Sequence, residues 1–244
     1  MKIYSIPVPK AKLDKIPETD RTFYFHMGHL RNEFMVLLKF LKWSINTQNE
    51  DPILTDANVA QTFILGGIFA GKLWEGWELL QKAFFKTKVS ASIGEQLPDK
   101  AKIALRKLKQ YFGRKNAIHE VRNAFGFHYD LSAVSAQLAA VEESDNLRIY
   151  VAEKSANMFY QMSEMIVGSA MLETLKPGDF VGATKILYKE VMEVAQDFID
   201  FCDGSVEHMS DTYLGRNAEQ LGAEQFEIPD PPHRDVVILP FFAK

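Results

Sequence analysis

The 244-residue chain is 47% hydrophobic and 25% charged, an ordinary globular composition that can bury a large core in a single domain, 1–244. Its formal net charge of −4 argues against a protein that coats nucleic acid by bulk charge, while leaving room for a local basic strip. The only cysteine, Cys202, excludes an intrachain disulfide and a cysteine-based zinc knuckle, which favours a reducing, cytoplasmic setting.

The first third of the chain is predicted to form two long helices. An extended lead-in, 1–17, precedes a helix over about 20–46, which Thr19 or Asp20 is expected to cap. A second helix over about 55–85 follows, because its apolar residues recur with helical spacing. The short connection between them predicts an antiparallel pair.

The second helix contains a long apolar stretch and, overlapping its end, a glycine-rich segment. Its most apolar stretch, 59–71, is interrupted by Gln61 and Thr62 and falls well short of the ~20 apolar residues that span a bilayer. We therefore expect a soluble protein without a membrane partner. Gly66–Lys72 has the spacing of a phosphate-binding loop, but Leu73 replaces the required Ser or Thr and no strand precedes it. These small residues are expected to let another helix approach closely.

The middle of the chain is predicted to be helical as well. A linker over 87–97 leads to an amphipathic helix over 99–112, which Gly113 ends. A fourth helix buries its apolar residues and ends near Gly126. A short helix over 131–141 follows it.

The remaining third adds two more helices, over 156–175 and 180–212, and one strand, 147–151. Because a single strand is not stable alone, we predict 236–239 as its partner. An extended tail, 226–244, ends in an apolar Leu-Pro-Phe-Phe segment that must dock on this chain or another. The predicted fold is all-α: a helical bundle of about seven helices with at most a minor two-stranded β element.

The run from Asn116 to Asp130 concentrates the residues with the most suggestive chemistry. Arg122 has the planar cation that grips a phosphate, Asn123 can hold a donor or acceptor in place, and His128 can move a proton near neutral pH. This trio is sufficient for metal-free phosphoryl chemistry. We therefore name Arg122, Asn123 and His128 as candidate catalytic residues, with no metal or other cofactor expected.

The charge around this run is locally positive on an acidic protein. Between residues 99 and 128 there are eight basic side chains and only two acidic ones. Lys102, Arg106 and Lys109 share one face of the predicted amphipathic helix and are the candidate phosphate-binding residues. The distribution indicates focused phosphate binding, and RNA is a possible partner.

An Arg followed by Asn and, a few residues later, a His, at the end of a helix with a basic helix before it, resembles the signature of the HEPN superfamily. Five residues separate Arg122 from His128, which is inside that pattern. The resemblance is best over 100–141 and looser over the rest of 18–142; the helices at 155–213 lie outside it. It implies a metal-independent ribonuclease site, usually assembled across a homodimer, with roles for Arg122, Asn123 and His128.

The helical phase adds a geometric condition to this motif. Arg122 and His128 are six residues apart, or ~600° around an ideal helix, which places them ~120° away from the same face. They converge on one phosphate only if Gly126 breaks the helix or if the Arg of one subunit faces the His of another. The motif therefore predicts a homodimer as well as a site.

A second hypothesis needs no chemistry. An Arg near a helix C-terminus stabilises the helix dipole, and His128 beside Tyr129 and Asp130 fits a polar network. In that case the chain is a non-enzymatic helical protein that dimerises or binds a partner, or a relative that binds RNA without cutting it. The sequence leaves catalysis open.

Overall fold

The protein is described by a computed structural model that covers residues 1–45, 51–123, 130–215, 222–233 and 235–243. Nine helices and one two-stranded sheet form the described part of the chain, which confirms the predicted all-α fold. The helices are α1 (Lys10–Leu13), α2 (Glu18–Ile45), α3 (Pro52–Leu80), α4 (Val89–Ile93), α5 (Asp99–Phe112), α6 (Ala117–Val121), α7 (Leu131–Ala139), α8 (Gln161–Leu175) and α9 (Phe180–Tyr213).

Three short elements continue or connect these helices. A π-helical turn, Gln81–Phe85, extends α3, and 3₁₀ turns lie at Gly94–Gln96 and Ser155–Asn157. Strands β1 (Lys2–Ser5) and β2 (Glu224–Glu227) pair antiparallel, with Ile3 opposite Phe226.

The long helices are where the sequence places them, but both begin earlier than predicted. α2 begins at Glu18, so Thr19 and Asp20 lie within its first turn and the predicted cap is wrong. At the start of α3, the Asp51 carboxylate accepts the backbone N–H groups of Ile53 and Leu54 at 2.8 and 3.2 Å. Asp51 therefore caps α3, with Pro52 in the first helical position, where its missing N–H costs nothing.

The segment 87–97 is not the simple linker that the sequence predicts. It contains α4 and the 3₁₀ turn that follows. Val89, Ile93 and Leu97 occur at i, i+4 and i+8 and are all buried, and the Thr87 hydroxyl accepts the N–H of Val89 at 3.2 Å. Burial of this short stripe against the core forms a helix that composition alone does not indicate.

The predicted sheet is wrong in both of its strands. Segment 147–151 forms only an isolated bridge, between Tyr150 and Phe159, and 236–239 is not a strand. Instead, the N–H of Leu239 donates to the carbonyl of Trp43 at 3.1 Å, and the Gln61 amide donates to the carbonyl of Leu239 at 3.1 Å. The apolar end of the tail therefore docks on helix side chains and helix ends.

The chain divides into two compact units, each assembled from separate segments. Unit 1 comprises 1–35, 75–113 and 195–234, and unit 2 comprises 36–74, 114–194 and 235–244. The single domain predicted over 1–244 stays a prediction.

Unit 1 has an aromatic core. The rings of Phe23, Phe84 and Phe201 pack with centroids 5.4 to 6.5 Å apart, and all three side chains are buried. Cys202 is also buried there, with its sulfur 3.9 Å from the sulfur of Met27, and burial raises the pKa of its thiol. This thiol is a buried core residue.

Unit 2 has a smaller apolar cluster that receives the C-terminal tail. Ala57, Ala60 and Phe159 are buried, and Phe241 and Phe242 pack against them. The Phe241 ring lies 5.0 Å from that of Phe159. The prediction that the Leu-Pro-Phe-Phe segment docks on the protein is confirmed.

The glycine-rich segment Gly66–Lys72 lies inside α3 rather than in a loop. A Cβ added at Gly66 would meet the Tyr188 ring of α9 at 3.4 Å. Gly66 therefore allows this side chain to approach α3 closely, which is the packing role expected from the sequence.

By length and composition, Pro52–Phe85 is able to cross a membrane, contrary to the expectation that this region is too short. The mean hydropathy of its most apolar 18-residue window is 1.3, and 39% of that window is buried in the protein. Core helices of soluble proteins meet the same criterion. The cytoplasmic location stays a prediction.

Candidate functional site

The candidate site lies at the C-terminal end of α6, and the N-terminus of this short helix is fixed from two directions. The side chain of Asn116, which is buried, accepts the backbone N–H of His119 at 2.9 Å. The Glu190 carboxylate of α9 accepts the N–H of Ala117 at 2.9 Å. Anionic and amide oxygens at a helix N-terminus satisfy its free N–H groups, so five residues suffice to hold α6 in place.

Two buried side chains define which face of α6 packs against the rest of the protein. Ile118 and Val121 are inaccessible to solvent, as the sequence predicts for the inner face of this helix. The backbone then changes to a π-helical conformation at Arg122 and Asn123. Wider turns of this kind re-aim side chains and are frequent at functional sites.

Arg122, Asn123 and His119 form one hydrogen-bonded chain. The Arg122 Nη1 donates to Asn123 Oδ1 at 3.0 Å, and the other end of the amide, Nδ2, lies 2.8 Å from His119 Nε2. An amide that accepts from a guanidinium presents its NH₂ group on the opposite side. Nε2 of His119 is therefore the acceptor, and the imidazole proton resides on Nδ1 in this arrangement.

His119 is also positioned by an aromatic ring. The centroids of the His119 and Trp74 rings are 4.5 Å apart, with their planes inclined by 36°. Trp74 therefore packs against the imidazole whose Nε2 faces Asn123. Through Asn123, the position of the Arg122 guanidinium is coupled to that of His119.

Sequence reasoning missed His119 and Trp74 as members of the site. The spacing of His119 and Asn123 is i, i+4 on one helix, which is the signal that could have joined them. Trp74 has no such signal, because it comes from α3 and reaches α6 only through the fold.

The proposed partner of Arg122 in catalysis, His128, lies outside the described residues, and so does Gly126. The predicted break at Gly126 stays a prediction. Within the described part, α6 leaves α-helical geometry before that glycine, at Arg122.

The three candidate phosphate-binding residues lie on α5, in unit 1, whereas Arg122 and Asn123 lie in unit 2. Lys102 and Arg106 make no hydrogen bond or ion pair with a described residue, and Lys109 lies 4.6 Å from the centroid of the Phe85 ring. These three cations therefore have no carboxylate partner among the described residues.

Other basic residues of the same strip are neutralised. Lys100 pairs with Asp200 at 2.9 Å, and Lys107 pairs with Asp197 at 3.2 Å. The Asp200 carboxylate raises the pKa of Lys100 by a hydrogen bond and by its charge. One face of α5 thus pairs with α9 carboxylates, while Lys102, Arg106 and Lys109 on the other face have no carboxylate partner among the described residues.

No protein-family model, curated protein or solved structure matches this chain.

Proposed function

We propose that this protein is a HEPN-like, metal-independent RNA-cleaving protein whose site is built around Arg122 and His128, across a homodimer. The observation that carries the proposal is the chain from Arg122 through Asn123 to His119, anchored on Trp74. It brings a guanidinium, an amide and an imidazole together at the end of a helix, and a guanidinium at such a position can stabilise negative charge in a transition state.

The reaction needs only residues of the chain. The ribose 2′-hydroxyl loses its proton to a base and attacks phosphorus, and the bond to the 5′ oxygen breaks as that oxygen receives a proton. The products are a 2′,3′-cyclic phosphate and a 5′-hydroxyl. His128 acts as general acid or base, and Arg122 stabilises the negative charge that develops on the phosphoryl oxygens.

Asn123 has a more specific part in this scheme than phosphate binding. Both ends of its amide are engaged, by Arg122 and by His119. Its role in the proposal is to position the Arg122 guanidinium, and His119 in turn fixes the amide. These two are positioning residues, and Arg122 is the residue that contacts the phosphate.

The decisive experiment compares two RNA substrates in excess EDTA. We expect the protein to cut single-stranded RNA under these conditions, because no metal takes part. The product should end in a 2′,3′-cyclic phosphate, because the 2′-hydroxyl is the nucleophile. The same RNA with a single 2′-deoxy residue at the scissile position should not be cut there, since it lacks the nucleophile. Cleavage of both substrates, or cleavage only after a divalent metal is added, would contradict the mechanism.

The α5 face predicts a difference between two sets of lysine and arginine variants. Replacing Lys102, Arg106 and Lys109 by Gln should weaken RNA binding by about 10-fold or more and lower the salt dependence, because fewer counterions are released. The control replaces Lys100 and Lys107, whose charges already pair with Asp200 and Asp197. Fluorescence anisotropy at several salt concentrations measures both effects. Equal losses in the two sets would show that α5 acts only through bulk charge.

A stable dimer that neither binds nor cuts RNA would favour the alternative, a non-enzymatic helical protein. Analytical ultracentrifugation and an RNA-binding titration on the same preparation distinguish the two.

A further inference from the structure

A second possible site lies in unit 2, in a cavity of about 230 Å³ between α3 and α8. α3 lines it with Asp56 and Phe63, which are seven residues apart, and α8 lines it with Glu164 and Gly168, which are four residues apart. Both spacings place the side chains on one face of their helix. The cavity therefore lies between one face of α3 and one face of α8.

Three aromatic rings form walls of this cavity. Phe63, Phe159 and Phe180 all line it, and the rings of Phe63 and Phe180 are 5.8 Å apart and inclined by 67°. Three phenyl rings therefore border one space. The faces of aromatic rings carry negative potential and attract cations, most strongly where water is excluded.

Among the described residues that line the cavity, the two charged ones are acidic. The Glu164 carboxylate makes no hydrogen bond or ion pair with a described residue, and burial raises the pKa of this carboxyl group. Asp56 is held in place by the Tyr150 hydroxyl, which donates to its Oδ2 at 3.1 Å. None of the described residues that line the cavity is basic. A partly buried carboxylate without a counterion is costly, and a bound cation would remove that cost.

A neighbouring cleft shows that this chemistry is local. It has a volume of about 630 Å³ and shares Phe63 and Phe180 with the smaller cavity, but among the described residues that line it the charged one is Lys185. The described lining of the cavity between α3 and α8, and not that of the cleft, therefore has the charge that favours a positive ligand.

We propose that the cavity between α3 and α8 binds a small alkylammonium cation. The three Phe rings contact its alkyl groups, and the Glu164 carboxylate, with Asp56 beside the same space, balances its charge. The space beside Gly168 is open, since a Cβ added there would meet no atom within 4 Å. This proposal does not depend on RNA cleavage.

The test uses choline as the probe and 3,3-dimethylbutanol, its uncharged isostere, as the comparison. On the full chain, isothermal titration should show saturable choline binding with a Kd of about 1 mM or tighter, and binding of the isostere at least about 10-fold weaker. Glu164→Gln keeps the shape of the side chain and removes its charge, so it should weaken choline binding at least about 10-fold. The control is Glu193→Gln, at an exposed carboxylate 4.0 Å from Lys189, which should bind choline as the unmodified protein does.

A steric variant tests the location independently of charge. Gly168→Leu should fill the cavity and abolish choline binding, whereas Gly28→Leu, at a helical glycine of unit 1 where an added Cβ also meets nothing, should leave it unchanged. Equal affinity for choline and its isostere would overturn the proposal, because the cavity would then select shape alone. Absence of saturable choline binding up to about 10 mM would overturn it as well.

Discussion

Arg122→Ala is expected to lower the rate of RNA cleavage by about 10²- to 10³-fold, the loss typical when one charge-stabilising donor is removed from an active site. His128→Ala should lower the cleavage rate at least as much, because no other residue is assigned to the proton transfer. Thermal stability should be nearly unchanged in both variants. Single-turnover cleavage assays and thermal unfolding of the same preparations measure the two properties.

The coupling through Asn123 supplies a control for this prediction. Asn123→Ala and His119→Ala remove positioning contacts of Arg122 but leave the guanidinium itself. They should reduce cleavage less than Arg122→Ala does, and they should lower kcat more than they raise KM. Unchanged cleavage in both Arg122→Ala and His128→Ala would rule out the assignment of this site.

Mixing the two inactive variants tests the dimer. If the Arg of one subunit serves the His of the other, half of the randomly exchanged dimers contain one intact site out of two. About a quarter of the original activity should then return. If both residues act within one subunit, the mixture stays inactive, and a break near Gly126 must bring them together.

Much of the fold follows from local patterns in the chain. α5 is an example: its apolar stripe, the Pro98-Asp99 start and the Gly113 stop are all local signals, and the helix spans Asp99–Phe112. α4 is the opposite case, because Val89 and Ile93 are buried and a helix this short depends on such burial. Local start and stop signals therefore predict a helix such as α5. They do not predict a helix such as α4, which depends on burial.

The sheet shows the same limit more strongly. The Tyr4 hydroxyl donates a hydrogen bond to Gln225 Oε1 at 3.2 Å, although the two residues are 221 positions apart in the sequence. The composition of 147–151 does not show that this alternating segment forms an isolated bridge rather than a strand. The strand with which a segment pairs depends on the whole fold. Alternation therefore predicts extended backbone but does not identify the pairing partner.

The candidate site divides in a similar way. Arg122 and Asn123 were identifiable from residue type and spacing, and their hydrogen bond is local. The contact of His119 with Trp74 joins α6 to α3 and required the fold. The distinction between the paired Lys100 and Lys107 and the unpaired face of α5 also required it, because the carboxylates come from α9.

Phe23→Ala is expected to lower the free energy of unfolding by about 3–5 kcal/mol, the cost of deleting a buried phenyl ring together with the cavity it leaves. Phe23 is 1% exposed, and its ring packs 5.4 Å from that of Phe84 and 6.5 Å from that of Phe201. These neighbours come from separate segments of unit 1, so they cannot close around a smaller side chain without moving their own helices.

The matched control lies two residues away on the same helix. Phe25 is 51% exposed, so Phe25→Ala should change the free energy of unfolding by less than about 1 kcal/mol. Urea unfolding followed by circular dichroism measures both variants. Similar losses for Phe23→Ala and Phe25→Ala would mean that the aromatic cluster is not the core that stabilises unit 1. A large loss confined to Phe23→Ala would place the stability of unit 1 in the contacts among these rings.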